Sequence, residues 1–151
     1  MLDYAARCGA PSLGATREDL TMASPLVNDV RAFLELYGRE FDSADGKRIA
    51  KLYHAPCVTM RGDGSIHSFH SQEDLTRFFQ GVADSYRKDG SRTGRFSNLE
   101  VVPIGARSAL VTVDWELLRA DESVIRKWRQ SYNLLRVGSG WQILVSTFHL
   151  S

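Results

Sequence analysis

The chain reads as an α+β domain in which three helices cover one face of a strongly curved, mixed or mostly antiparallel sheet. Three observations predict it. Residues 107–151 hold three long strand-like runs with only short turns between them. One register of the first two runs satisfies three cross-strand pairs together. Each helical stretch upstream opens on its own capping residue.

Residues 1–23 have weak periodicity, mixed charge, and Gly9, Pro11 and Gly14 in quick succession, so a loosely held tail is expected. Met22 directly precedes the first helix signal, which fits either an over-extended gene start or an expression leader. A single domain then occupies 24–151. It opens on Ser24-Pro25, a serine N-cap followed by a proline whose missing N–H costs nothing in a first turn. Leu26, Val30, Phe33, Leu34, Tyr37 and Phe41 recur at helical spacing and define one buried face. Asp42-Ser-Ala-Asp-Gly46 breaks that helix. Asp45 caps a second, shorter one that carries Ile49, Leu52 and Tyr53 inward and ends at Pro56.

Cys57–Met60 and Ser65–Phe69 flank Arg61-Gly-Asp-Gly64, whose Asp-Gly step suits a hairpin. Ser71-Gln-Glu-Asp74 matches a capping box, and Leu75, Phe78, Phe79, Val82 and Tyr86 follow on one face. A third helix over 72–88 is the consequence. Residues 93–104 alternate imperfectly, with Asn98-Leu99 and Pro103 out of step, which predicts a strand with a bulge or an edge position.

The run from Ser108 to Arg119 is rich in branched and aromatic residues and stops at Asp121-Glu122. Val124 to Val137 follows, then Gly138-Ser139-Gly140, then Trp141 to His149. Connections this short make the strands antiparallel neighbours. With Asp121-Glu122 as the loop, Trp115 falls opposite Trp128, Asp114 opposite Arg129 and Glu116 opposite Lys127. One aromatic and two opposite-charge pairs favour that register by roughly 0.2 to 1 kcal/mol apiece. A two-residue Gly138-Ser139 turn extends it, placing Tyr132 beside Val145, Gln130 beside Thr147 and Trp128 beside His149. The concave face then carries Trp115, Trp128, Gln130, Tyr132, Thr147 and His149, and the outer face Asp114, Glu116, Lys127, Arg129 and Ser146. A three-residue turn would swap the faces of the last strand.

At 151 residues and 43% apolar content the chain supplies one real core. Its 19 Lys plus Arg against 18 Asp plus Glu leave no basic stripe for nucleic acid. Arg126, Lys127 and Arg129 are the densest basic cluster, but strand alternation splits them between faces. Cys8 and Cys57 make no disulfide framework, which fits a reduced, cytoplasmic setting. No run approaches the ~18 apolar residues of a membrane span.

Tyr37, Phe41-Asp42-Ser and Asp45 lead to Leu52-Tyr53-His54-Ala55-Pro56, then to a hairpin, a capped helix and four strands that close on Gly140-Trp141-Gln-Ile143. In this order the chain resembles the NTF2-like superfamily, in particular its SnoaL-like branch, from about Ser24 to Ser151. The resemblance implies a cone whose mouth lies between the helices and the concave sheet, and often a homodimer joined through the sheet's outer face. It covers isomerases, cyclases, dehydratases and epoxide hydrolases, so fold alone assigns no function. Isomerase-like chemistry would want a carboxylate in the pocket. The concave strand face offers none, because Asp114 and Glu116 point outward and Asp63 sits in a turn.

The expected lining is Tyr37, Phe41, Tyr53, Met60, Phe79, Trp115, Trp128, Gln130, Tyr132, Thr147 and His149. His149 between two tryptophans is the candidate for acid–base work with Tyr37 or Tyr53, against the plainer reading of a half-buried, hydrogen-bonded histidine. Trp115, Trp128 and Tyr132 suit a flat ligand, and ordinary core packing explains them equally well. Gln130 and Thr147 are polar groups on an apolar face and need partners, which a wet cavity would supply. His67 and His70 point to opposite faces of a strand, so no metal site is expected, and no cofactor either. Three functions follow: binding of a small apolar molecule; isomerase, cyclase or dehydratase activity on a polycyclic or polyketide-like substrate; or a non-catalytic accessory module whose outer face binds a partner.

Overall fold

The structure is a computed structural model that describes residues 24–151; the expected tail, Cys8 and the Met22 start lie outside the described residues. The elements are α1 (Pro25–Asp42), α2 (Gly46–Ala50), β1 (Tyr53–Met60), β2 (Ile66–Phe69), α3 (Gln72–Lys88), β3 (Thr93–Ile104), β4 (Ser108–Leu118), β5 (Val124–Val137) and β6 (Gly140–Phe148). All three expected caps form. Ser24 Oγ accepts from the Val27 N–H, Asp45 Oδ1 from Lys47 and Arg48, and Ser71 Oγ from Asp74. Each cap stabilises its helix by about 1 kcal/mol.

The strands form one sheet in the order β2-β1-β6-β5-β4-β3. Every neighbouring pair is antiparallel except β1 and β6. Because β1 enters beside the last strand of the chain, the first two helices are folded back over the sheet. α1 packs along β3 and α2 packs on α3. Val30, Leu34, Ile49, Leu75, Phe79, Val111, Val113, Leu134 and Ile143 are fully enclosed between the layers. Burying each such side chain stabilises the fold by roughly 1.5 to 3 kcal/mol.

Two expectations for the first half need correcting. The second helix ends at Ala50, and Tyr53 opens β1 instead of riding on the helix. The reason is that the Leu52 carbonyl already accepts from the Ile143 N–H at 2.8 Å, so sheet pairing begins where a longer helix was expected. Pro56 lies inside β1 after a cis peptide bond. The β1–β6 ladder is broken between Tyr53 and Val58, so no pairing partner is deprived by the missing N–H. β3 combines both expected features, with its register broken between Ser97 and Glu100, Asn98 at φ 52° and the strand itself at the sheet's edge.

Trp115 pairs with Trp128, Asp114 with Arg129 and Glu116 with Lys127, as the sequence predicts. The connecting loop is longer than expected. Arg119 N–H donates to Ser123 O and Glu122 takes φ 68°, and an irregularity beside Leu117 absorbs the difference. The last hairpin turns on Gly138-Ser139 and keeps the expected register as far as Leu134 opposite Ile143. There Leu144 is one residue too many, and Asn133 meets Val145. Beyond this bulge the faces of β6 reverse, so Ser146 and Phe148 are buried while Val145 stands 37% exposed. The competing principle is apolar burial: an unbroken register would have put Phe148 into water to bring His149 inside. No helix among the described residues is long and apolar enough to cross a membrane.

Candidate functional site

A cavity opens between the C-terminal half of α1, the end of α3 and the concave side of β3 to β6. It holds about 590 Å³ of atom-free space, counted out into the solvent at its mouth. It is a slot and not a chamber. Tyr37, Phe41, Tyr86, Trp115, Trp128, Tyr132 and Phe148 wall it. Tyr37 sits 5.7 Å from Trp115 and 4.9 Å from Phe41, ring centre to ring centre, and Trp128 stacks on Phe148 at 5.7 Å. Although Trp115 and Trp128 are register partners, their rings serve different neighbours: Trp115 meets Phe96, and Trp128 meets Tyr86.

Four sets of polar groups interrupt these walls. In the first, Tyr37 Oη lies 2.8 Å from Tyr53 Oη, and Tyr132, whose ring packs edge-on to Tyr37, accepts from Trp115 Nε1–H at 2.9 Å. One proton of the Tyr37–Tyr53 pair serves their mutual contact, and the Tyr132 oxygen is used as an acceptor by Trp115. Burial keeps all three phenols neutral, pushing Tyr37 up to about 12 and Tyr53 and Tyr132 well above the ordinary tyrosine value. The second set is closed: Trp128 Nε1–H donates to Gln130 Oε1, Gln130 Nε2 to Ser146 Oγ, and Ser146 pairs with Thr59 at 2.7 Å. Gln130 Oε1 and one of its Nε2 N–H groups therefore find partners in the protein.

The third is Asp42, the last residue of α1, half-buried at the cavity's edge. Its Oδ2 accepts from Thr93 Oγ1 and its Oδ1 from the Gly94 N–H, while burial raises its pKa. A carboxylate so raised is a better proton acceptor than an exposed aspartate. The fourth is Arg61, half-buried, with its guanidinium 4.8 Å from the centre of the Phe148 ring and Nη2 donating to Tyr86 Oη at 3.2 Å.

Of the expected lining, Tyr37, Phe41, Trp115, Trp128, Gln130 and Tyr132 meet at the cavity. Tyr53 and Phe79 stand behind it, stacked at 4.3 Å, where Tyr53 holds the Tyr37 hydroxyl and Phe79 packs edge-on to Phe41. Three residues are misplaced by the sequence reading. Met60 pairs with Thr147 across the β1–β6 ladder, and strand alternation turns both to the outer face. His149 is exposed there too, its Nε2 2.8 Å from Ser131 Oγ, so it cannot serve the cavity. Asp114 lies outside as expected, held below the usual carboxylate range by Asn98 and then Arg129.

Asp42, Arg61, Tyr86, Arg87, Arg92 and Phe148 are among the lining residues that the sequence reading missed. Arg61 lies in phase with buried Cys57 and Thr59, so the strand period carried that signal past the end of β1. Asp42 follows Gly38 by one helical turn, but the sequence reading placed it in the segment that breaks the helix and not on the helix's inner face.

Residues 28–151 match the family described as NTF2-like protein (DUF6841). No curated protein sequence matches the chain. Among solved structures, Aln2 from a Streptomyces species is similar at 16% identity and a TM-score of 0.70, over 85% of this chain and 94% of that one. An NTF2-like protein with a cystatin-like fold from Novosphingobium aromaticivorans gives 15% identity and a TM-score of 0.66 over 88% of each chain. A protein from the same organism, named as a candidate scytalone dehydratase, gives 12% and 0.62 over 81% of each. At such identities the likeness establishes the cone fold alone. With the family match spanning nearly all of the described residues, the chain belongs to the NTF2-like family DUF6841.

Proposed function

We propose that this chain binds a small, flat, largely apolar molecule in the slot between α1, α3 and the concave sheet. One observation carries the reading: aromatic walls surround an open-mouthed space into which a few polar groups converge, the Tyr37 and Tyr132 phenols, Asp42 and Arg61 among them. The fold neighbour named as a candidate scytalone dehydratase supports a small-molecule role. The test is a thermal-melt screen against polycyclic and polyketide-like compounds. At least one compound raises the melting temperature of the wild type, and the shift shrinks in Trp128→Ala. A ligand at 100 times its Kd stabilises by about 2.7 kcal/mol, so silence across the whole set sinks the reading.

A second reading is favoured by Asp42: the bound molecule exchanges a proton with this carboxylate while a phenol of the lining, Tyr37 or Tyr132, stabilises the developing oxyanion. A cyclic ketone held by the protein in heavy water then takes up deuterium beside its carbonyl. Uptake that continues at the wild-type rate in Asp42→Asn removes Asp42 from that role.

We also read the outer sheet face as the seat of a second copy. Val58, Val145, Asn133, Leu110 and Val102 are successive register partners across five strands. The four apolar members are 37 to 55% exposed, and the Asp114–Arg129 pair beside them offers charges that a two-fold axis would make self-complementary.

A further inference from the structure

Arg61 is a cation in an aromatic slot with too few partners. A guanidinium has five N–H donors, and within the structure Arg61 spends one, on Tyr86. Among the described residues no carboxylate lies within ion-pair distance of it. Its ring contacts, 4.8 Å to Phe148 and 5.9 Å to Phe78, hold the charge in place without using its N–H groups. Its backbone is fixed as well, because the Arg61 N–H donates to Ser65 O and the Arg61 carbonyl accepts from Gly64 in the β1–β2 hairpin.

The slot's other charges point the same way. Arg87 and Arg92 stand at its mouth and spend a hydrogen bond each on the backbone carbonyls of Asp42 and Ser91. Against three guanidinium groups the lining sets one carboxylate, Asp42, whose two oxygens are already occupied by Thr93 and Gly94. A neutral hydrocarbon would leave Arg61 desolvated and unanswered, which is costly.

Resting on the cavity reading above, we propose that the ligand is a planar aromatic or polyunsaturated carboxylic acid, its ring system against the aromatic walls of the slot and its carboxylate on the fork of Arg61. A carboxylate matches that fork with two parallel, charge-assisted hydrogen bonds.

Isothermal titration with 2-naphthoate, its neutral isostere 2-naphthamide and naphthyl phosphate tests the assignment on wild type, Arg61→Gln and Arg61→Lys. The wild type prefers the carboxylate over the amide by about ten-fold or more, a preference worth about 1.4 kcal/mol. In Arg61→Gln the preference collapses to within about two-fold, because the carboxylate loses a charge-assisted pair and the amide only a neutral-acceptor bond. Arg61→Lys keeps the charge and loses the fork, so its preference falls between the two and keeps the test open if the glutamine variant does not fold. Equal binding of acid and amide by the wild type overturns the proposal and leaves the cavity reading standing. A preference that survives in both variants overturns the role of Arg61, and tighter binding of naphthyl phosphate overturns the carboxylate class. Failure of all three probes on the wild type takes the cavity reading down as well.

Discussion

Tyr37 is where the aromatic and polar halves of the slot meet, since its ring touches Phe41, Tyr53, Trp115 and Tyr132 and its hydroxyl belongs to the phenol cluster. Burial raises its pKa from 10.0 to about 12 and raises those of Tyr53 and Tyr132 well above 10.0. A folded-state value above the unfolded one means the native state holds the proton more tightly. The resulting stability is complete below the unfolded value and is lost as pH rises through the folded one. In an alkaline titration followed by phenolate absorbance, these three tyrosines stay silent near pH 10 to 11 and ionise together with unfolding. Smooth, independent titration of every tyrosine near pH 10, with the far-ultraviolet dichroism intact, contradicts their enclosure. Gln130 makes a related point: the sequence correctly marked it as a buried polar group in need of partners, but nothing local announced that Thr59, on the far side of the chain's first half, would belong to the same network.

At the scale of elements, short-range chemistry was readable and long-range strand pairing was partly so. Caps depend on residues three or four apart, and Ser24, Asp45 and Ser71 all act as the sequence predicts. The β4–β5 register was readable because three pairs agreed on one offset. β6 offered no such redundancy beyond Ile143. A bulge there leaves no mark in a period-two pattern until the competing faces are weighed, and weighing Phe148 against His149 would have exposed it. The parallel contact of β1 with β6 joins distant parts of the chain and has no local signature at all. The missed residues follow from this: Arg61 and Phe148 meet across that junction, so neither is visible as a lining group until the two strands are brought side by side.

At the scale of the whole molecule, the helices consume one face of the sheet and leave the other bare. The row from Val58 to Val102 is continuous in register, so a single charge in its middle reaches every part of a paired interface. Leu110 is 42% exposed in the single chain, and replacing it with arginine costs that chain little. Light scattering is expected to give twice the chain mass for the wild type and one chain mass for Leu110→Arg, with native circular dichroism in both. A wild type that stays at one chain mass at micromolar concentrations ends the outer-face reading.

The extra residue at Leu144 makes the terminal hairpin a reading frame for the two sides of the domain. Relatives of the same length that pair this strand without the bulge would trade an inward serine and phenylalanine for an inward threonine and histidine, with every strand still in place. Ligand chemistry and self-association would then change hands in one evolutionary step, so superposition of backbones alone will group together proteins whose interiors have nothing in common.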